Sequence, residues 1–246
     1  MSRVYIHELV DISGPNRARY FQHITANWGP IGREQRRQLC FGVWGVVGST
    51  GRWPQVVNLW EYASWADLAA NFEVEVAGEG LYDDSLREWW EAASGMRSGG
   101  FDRICVAPDW SPSIEEICAE GRPTAAGYVH ERIACRPGAA RAVLDAVEAD
   151  GITRDAELGL HLTVALRRAM GADDEVILVW SFPDWATWGR AEEAIDDPSR
   201  SPRRWRAGLE DEVSGWERML LVDAPLSPLR TGRQPALEDR TPLEGG

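Results

Sequence analysis

Lysine is missing from this chain. All 26 basic residues are arginine, 39 acidic residues outnumber them, and the formal net charge is -13. A surface of that sign repels phosphate backbones and anionic headgroups, and no basic stripe with interleaved aromatics offsets it. Nucleic acid and membrane surfaces are therefore excluded as partners. No apolar run approaches the ~20 residues of a membrane span, and Arg3, Glu8 and Asp11 leave no room for a signal-peptide core at the start. Cys40, Cys105, Cys118 and Cys135 are scattered, with no C-x-x-C pair and no neighbouring histidine. They read as reduced thiols of a cytoplasmic protein and not as a disulfide frame or a zinc site. Also lacking are G-x-G-x-x-G after a strand, a P-loop, G-x-S-x-G and H-E-x-x-H, which argues by motif against nicotinamide and nucleotide cofactors.

What is present is a repeat. Tyr5-Ile6-His7-Glu8 returns as Tyr128-Val129-His130-Glu131, which takes up two of only four histidines. Val4 to Ile12 alternates as a strand. Ser13-Gly14-Pro15-Asn16 then turns into a helix with Phe21, Ile24 and Trp28 on one stripe, stopped by Gly29-Pro30. Leu39–Val47 and Val56–Tyr62 predict a hairpin, Ser64 with Asp67 a helix start, Leu86–Ala93 a further helical turn, and Phe101–Val106 a closing strand. The order runs again from Tyr128, through the Arg136-Pro137-Gly138 turn, a second aliphatic helix, strands at Leu158–Leu166 and Val176–Phe182, and a helix capped by Asp184. In this reading Trp60 matches Trp180, Trp65 matches Trp185, Arg103 matches Arg218 across a five-residue insertion, and Trp44 matches His161.

This is β-α-β-β-α-β written twice, an α+β fold of two tandem ferredoxin-like units. Each unit covers one sheet face with its helices and leaves the other face to be covered, so two units in one chain pair their antiparallel sheets into an intramolecular α/β barrel. The expected boundaries are 1–110 for the first unit, 111–125 for a connector, 126–226 for the second unit and 227–246 for a flexible tail.

The tyrosine-bearing first strand, the Arg136-Pro137-Gly138 turn, the aliphatic helix and the run from Val56 through Asn58, Trp60, Glu61, Tyr62 and Ser64 to Trp65 resemble NIPSNAP-type domains. These belong to the dimeric α/β-barrel superfamily. The resemblance covers residues 3–110 and 126–224 and implies the barrel fold. The family's first strand typically reads Tyr-Glu-Leu-Arg, so here a His-Glu pair replaces its polar residues. The superfamily holds monooxygenases, isomerases, lyases, haem enzymes and non-catalytic members, so the resemblance implies no single activity.

The chemistry rests on His7-Glu8 and His130-Glu131. Adjacent strand residues point to opposite faces, so His and Glu of one pair serve different pockets. A strand imidazole titrates near neutrality, and a glutamate desolvated under helices has its pKa raised, so either suits proton transfer. His161 lies across the sheet from His130, which favours the second half as the working copy. Trp44, Trp60, Trp180 and Tyr128 are expected to wall an apolar pocket. The leading expectation is a cofactor-independent isomerase, cyclase or lyase acting beside a carbonyl of a small apolar or aromatic compound. His130 is its acid or base, Glu131 and His161 assist, and His7 and Glu8 are the duplicate set. Haem is the alternative, since one axial histidine suffices for it. A non-catalytic binding or scaffolding protein is the other alternative. No metal site is expected, and a fused pair remains free to form homo-oligomers through helices or sheet edges.

Overall fold

In a computed structural model, residues 2–77, 83–197 and 204–241 are described. The alternating start forms β1 (Val4–Ile12). The stripe Phe21, Ile24 and Trp28 lies on one continuous helical run: α1 (Arg17–Gln22), a π-helical turn His23–Trp28 and α2 (Gly29–Arg36). Gly29-Pro30 does not stop this run. Pro30 falls in the first turn of α2, directly after the π-turn, where proline's fixed φ suits the helix. The hairpin is β2 (Leu39–Val46) and β3 (Gln55–Tyr62). Ser64 caps α3 (Trp65–Glu75) by accepting from the Asp67 N–H, and Asp83 caps α4 (Asp84–Ala93). Next come β4 (Arg97–Val106) and α5 (Ile114–Glu120), whose capping box joins Ser113 and Glu116.

The second copy is β5 (Gly127–Cys135), α6 (Ala140–Ala146), a π-helical turn Val147–Gly151, α7 (Ile152–Glu157), β6 (His161–Arg168) and β7 (Glu175–Phe182). It continues with α8 (Trp185–Asp196), α9 (Arg204–Ala207) and β8 (Val213–Asp223). The strand order is β1-β3-β2-β8-β5-β7-β6-β4, closed as a barrel. The described residues of Met1–Arg103, Ser113–Arg122 and Asp223–Gly246 cluster as one compact unit, and those of Ile104–Pro112 and Pro123–Val222 as another.

The two copies agree down to their irregularities. His7 lies opposite Leu59 and His130 opposite Val179. Both hairpins carry a bulge at the same place, between Cys40 and Gly42 and between Leu162 and Val164. Both first helices break into a π-turn. These registers keep the Trp60–Trp180 match and correct two others. Leu39 pairs with Glu61 as His161 pairs with Ser181, so Leu39 is the counterpart of His161, and Leu166 is the counterpart of Trp44. Trp89 precedes Arg97, where β4 begins, at the same spacing as Trp205 precedes Val213, where β8 begins. Asp102, and not Arg103, is therefore the counterpart of Arg218, and no five-residue insertion is needed.

Past residue 226 the chain is expected to fray, yet through residue 241 it is tied to the first unit. It forms α10 (Pro228–Thr231), the Gln234 amide bonds the backbone N–H and C=O of Cys40, and Arg240 donates to the Ala26 and Asn27 carbonyls of the π-turn. Ala26 stands four residues before Pro30, which has no N–H to offer it, so Arg240 supplies a donor there.

Candidate functional site

Strand alternation separates each His from its Glu. In the first unit Tyr5, His7 and Leu9 share one face, and Glu8 lies on the other with Asn58 and Trp60, beneath the helix carrying Tyr20. His7 is 1% exposed and His130 is 2% exposed. Trp44 is buried on the same face as His7, its indole folded over Gly42, where a β-carbon would stand 2.4 Å from the ring. Tyr128 is buried on the face of His130. His161 shares that face by register, but it is exposed at the start of β6. His23 lies in the first π-turn, stacked on Trp89, with its ring nitrogens bonded to the Trp89 carbonyl and the Asn27 amide. Burial of His7 and His130 leaves no open ring edge for a porphyrin iron, and His23 has both ring nitrogens engaged. These residues do not fit an axial haem ligand. Among the described residues no group of three or more His, Cys, Asp or Glu could hold a metal ion.

The glutamates are where the copies part. Glu131 is fully buried, and its Oε1 meets the Arg206 guanidinium at 2.6 Å and Arg218 Nε at 3.0 Å. Its Oε2 accepts from the Trp180 indole at 3.1 Å. Arg218 is itself held by Glu192 through two bonds of 2.6 and 2.8 Å, and Arg206 lies 3.9 Å over the Trp216 ring. This carboxylate is neutralised and locked, which is what a buried charge requires.

Glu8 has the same strand position and a different shell. Its Oε2 accepts from Asn58 Nδ2 at 2.8 Å and from the Trp60 indole at 3.0 Å, and Asn58 also donates to the Tyr20 hydroxyl at 3.0 Å. The described residues place neither a donor on Oε1 nor a cation in ion-pair contact with it. Where Arg218 serves Glu131, the first unit has Asp102, and where Arg206 stands it has Trp90. Desolvation raises the Glu8 carboxyl to about 7, the charge of Asp102 pushes the same way, and the Asn58 and Trp60 bonds and Arg97 act against them. Glu8 is nevertheless only half-buried, a carboxyl enclosed by protein that keeps contact with solvent. Tyr20, fully buried, is raised above the usual phenol range by burial first and then by Glu8.

Asn58, Tyr20, Asp102 and Arg97 are absent from the sequence-derived site. One signal was available: Asn58 is a polar residue in the otherwise apolar run Val56 to Trp60, directly across from Glu8, and its counterpart across from Glu131 is Leu178. Tyr20 likewise gives way to aliphatic Val143 and Leu144 in the second copy.

No known family profile matches the sequence, and no curated protein matches it. Solved structures do match. A "putative monooxygenase" from Fusobacterium nucleatum superposes with a TM-score of 0.58 at 10% identity, covering 91% of this chain and 93% of that one. A "putative chlorite dismutase" gives 0.50 at 13% identity over 94% and 98%. NIPSNAP family proteins are also among the similar structures. One of unknown function from Agrobacterium tumefaciens covers 44% of this chain and 96% of its own, at 21% identity and a TM-score of 0.37. The full-length matches establish the dimeric α/β-barrel fold and stop there. Among the described residues no helix is long and apolar enough to cross a membrane.

Proposed function

We propose that the protein is a cofactor-independent acid–base enzyme, of isomerase, cyclase or lyase type, acting on a small apolar or aromatic carbonyl compound in the first half of the chain. The observation that carries this reading is the contrast between two copies of one carboxyl. Glu131 is closed by two guanidiniums, whereas Glu8 has two neutral N–H donors on one oxygen and an open second oxygen. A general base must be reachable and must change protonation near the working pH, and Glu8 meets both conditions. Its open Oε1 is the atom that takes the proton. Asn58 and Trp60 hold the carboxyl in place, and Tyr20 orients Asn58. His7 and His130, on the opposite faces, do not reach these carboxyls, so the role the sequence suggests for His130 passes to Glu8. The scattered free thiols and acidic surface support a cytoplasmic setting.

The test is deuterium wash-in. The protein is incubated in D2O with aryl and alkyl ketones, and loss of the proton next to the carbonyl is followed by NMR. The wild type accelerates exchange for at least one compound, Glu8→Gln does not, and His130→Ala retains it. Exchange that survives Glu8→Gln sinks the assignment.

A further inference from the structure

The last described segment of the chain fastens onto the first helical run at several separate points. Gly232, left-handed at φ +71°, caps α10 and separates it from the residues that follow. Those residues fold on themselves: Asp239 takes the Arg233 fork at 2.6 and 2.7 Å and the Ala236 N–H at 2.8 Å. The closed loop is held to the rest of its unit by few groups. The Gln234 amide spans the Cys40 N–H and C=O at 2.9 and 2.8 Å, and Pro235 lies on bare Gly29, where an added β-carbon would stand 3.4 Å from its ring. The Asp239 carbonyl accepts from Gln22 Nε2 at 2.8 Å, and Arg240 donates to the Ala26 and Asn27 carbonyls at 3.2 and 3.1 Å. Apart from Pro235, residues 231–241 are exposed or half-buried, so water replaces these polar contacts at small cost when the loop leaves.

Gln22 and Tyr20 belong to one helix. Two residues apart, their side chains leave α1 roughly 200° apart around its axis. Tyr20 is fully buried against the sheet, where its hydroxyl accepts from Asn58, which donates in turn to Glu8. Gln22 is on the side of the loop. α1 is therefore clamped between the Tyr20–Asn58–Glu8 chain of hydrogen bonds and the C-terminal loop. We propose that residues 233–240 are a strap, hinged at Gly232, that holds α1 down over Glu8 and, when released, opens this carboxyl to solvent. The charged groups of the strap are Arg233, Glu238, Asp239 and Arg240, whereas those acting on Glu8 are Asp102 and Arg97. Release thus acts on Glu8 through its solvation and not through a lost charge. The inference deepens the reading of Glu8 as base, but it concerns how that carboxyl is covered and is tested on its titration.

Glutamate carboxyl carbons of the full-length protein are titrated by NMR, with Glu8→Gln identifying the Glu8 signal. Gln22→Met/Arg240→Met detaches the strap and keeps its internal Arg233–Asp239 closure. The wild-type Glu8 midpoint lies at about 7. In the double variant it falls by about one pH unit or more as water reaches the carboxyl. Arg240→Met alone gives a smaller fall, and Arg240→Lys, which keeps a donor for the Ala26 carbonyl, stays at the wild-type value. Glu61, a buried carboxyl of the same unit held by the Tyr5 hydroxyl and the Ile114 N–H, keeps its midpoint in every variant. That separates release of α1 from general loosening. A Glu8 midpoint unchanged in the double variant, or Glu8 and Glu61 falling together, overturns the strap. Either result leaves the base standing if wild-type ketone exchange depends on Glu8, whereas a lowered midpoint without such exchange keeps the strap and removes the base.

Discussion

Glu8→Gln should make the protein more stable, and only at the alkaline end of its range. The Glu8 carboxyl moves from an ordinary value of 4.5 to about 7 on folding. Between those values the folded chain keeps a proton that the unfolded chain has released, so the folded state binds more protons and stability falls as pH rises. Below 4.5 both states are protonated and above about 7 both are ionised, so the curve is flat at either end. At about 1.4 kcal/mol per pH unit, the full window corresponds to about 3 kcal/mol of lost stability, and partial solvent contact reduces that to about 2 kcal/mol. Glutamine removes the titration while its carbonyl oxygen still accepts from Asn58 and Trp60. Urea unfolding followed by tryptophan fluorescence at pH 5.5 and 8.5 tests this. The advantage of Glu8→Gln over the wild type should grow by about 1 kcal/mol or more between the two, a difference of about 2–4 °C in Tm at this chain length. A pH-independent difference, or a glutamine variant less stable at pH 8.5, refutes the claim that Glu8 lacks a compensating cation.

Two further substitutions probe the frame around the site. Arg206→Met leaves fully buried Glu131 with one guanidinium in place of two and should cost about 2 kcal/mol in urea unfolding. The double variant Glu131→Leu/Arg206→Met should recover most of that loss. Gly42→Ala drives a methyl into the Trp44 indole and should cost about 1–3 kcal/mol, a penalty that shrinks when Trp44 is already leucine.

The fold was legible because hydrophobic period and turn chemistry agree along both halves. Alternation in Val4–Ile12, the Ser64 and Asp184 caps and the returning Tyr-x-His-Glu are local signals, and each forms the element it suggests. The Pro30 stop failed because a π-turn, which has no pattern of its own, shifts the ladder ahead of it. The carboxyl half of the site was visible in the repeat, but its state was not. Whether Glu8 or Glu131 is neutralised depends on residues far away in sequence. Arg206 and Arg218 reach one carboxyl across 75 and 87 positions, and Asp102 acts on the other from the far end of its unit. The extra histidine at His161 points to the second half, yet strand register sets it at an exposed end.

Duplication explains how one sequence motif comes to hold two states. Two identical copies of a half-buried glutamate would each destabilise the fold near neutral pH, and a protein has only a narrow margin of stability. Supplying arginines to one copy removes that cost there. The copy left with Asn58, Tyr20 and Asp102 keeps the cost, and with it a carboxyl raised to about 7. Uncompensated charge at one of two equivalent positions is hard to explain as packing, because the same backbone shows the packed solution in Glu131. The simplest physical account is that Glu8 is held ready for a proton, and the stability cost of that readiness is what the pH-dependent comparison with glutamine measures.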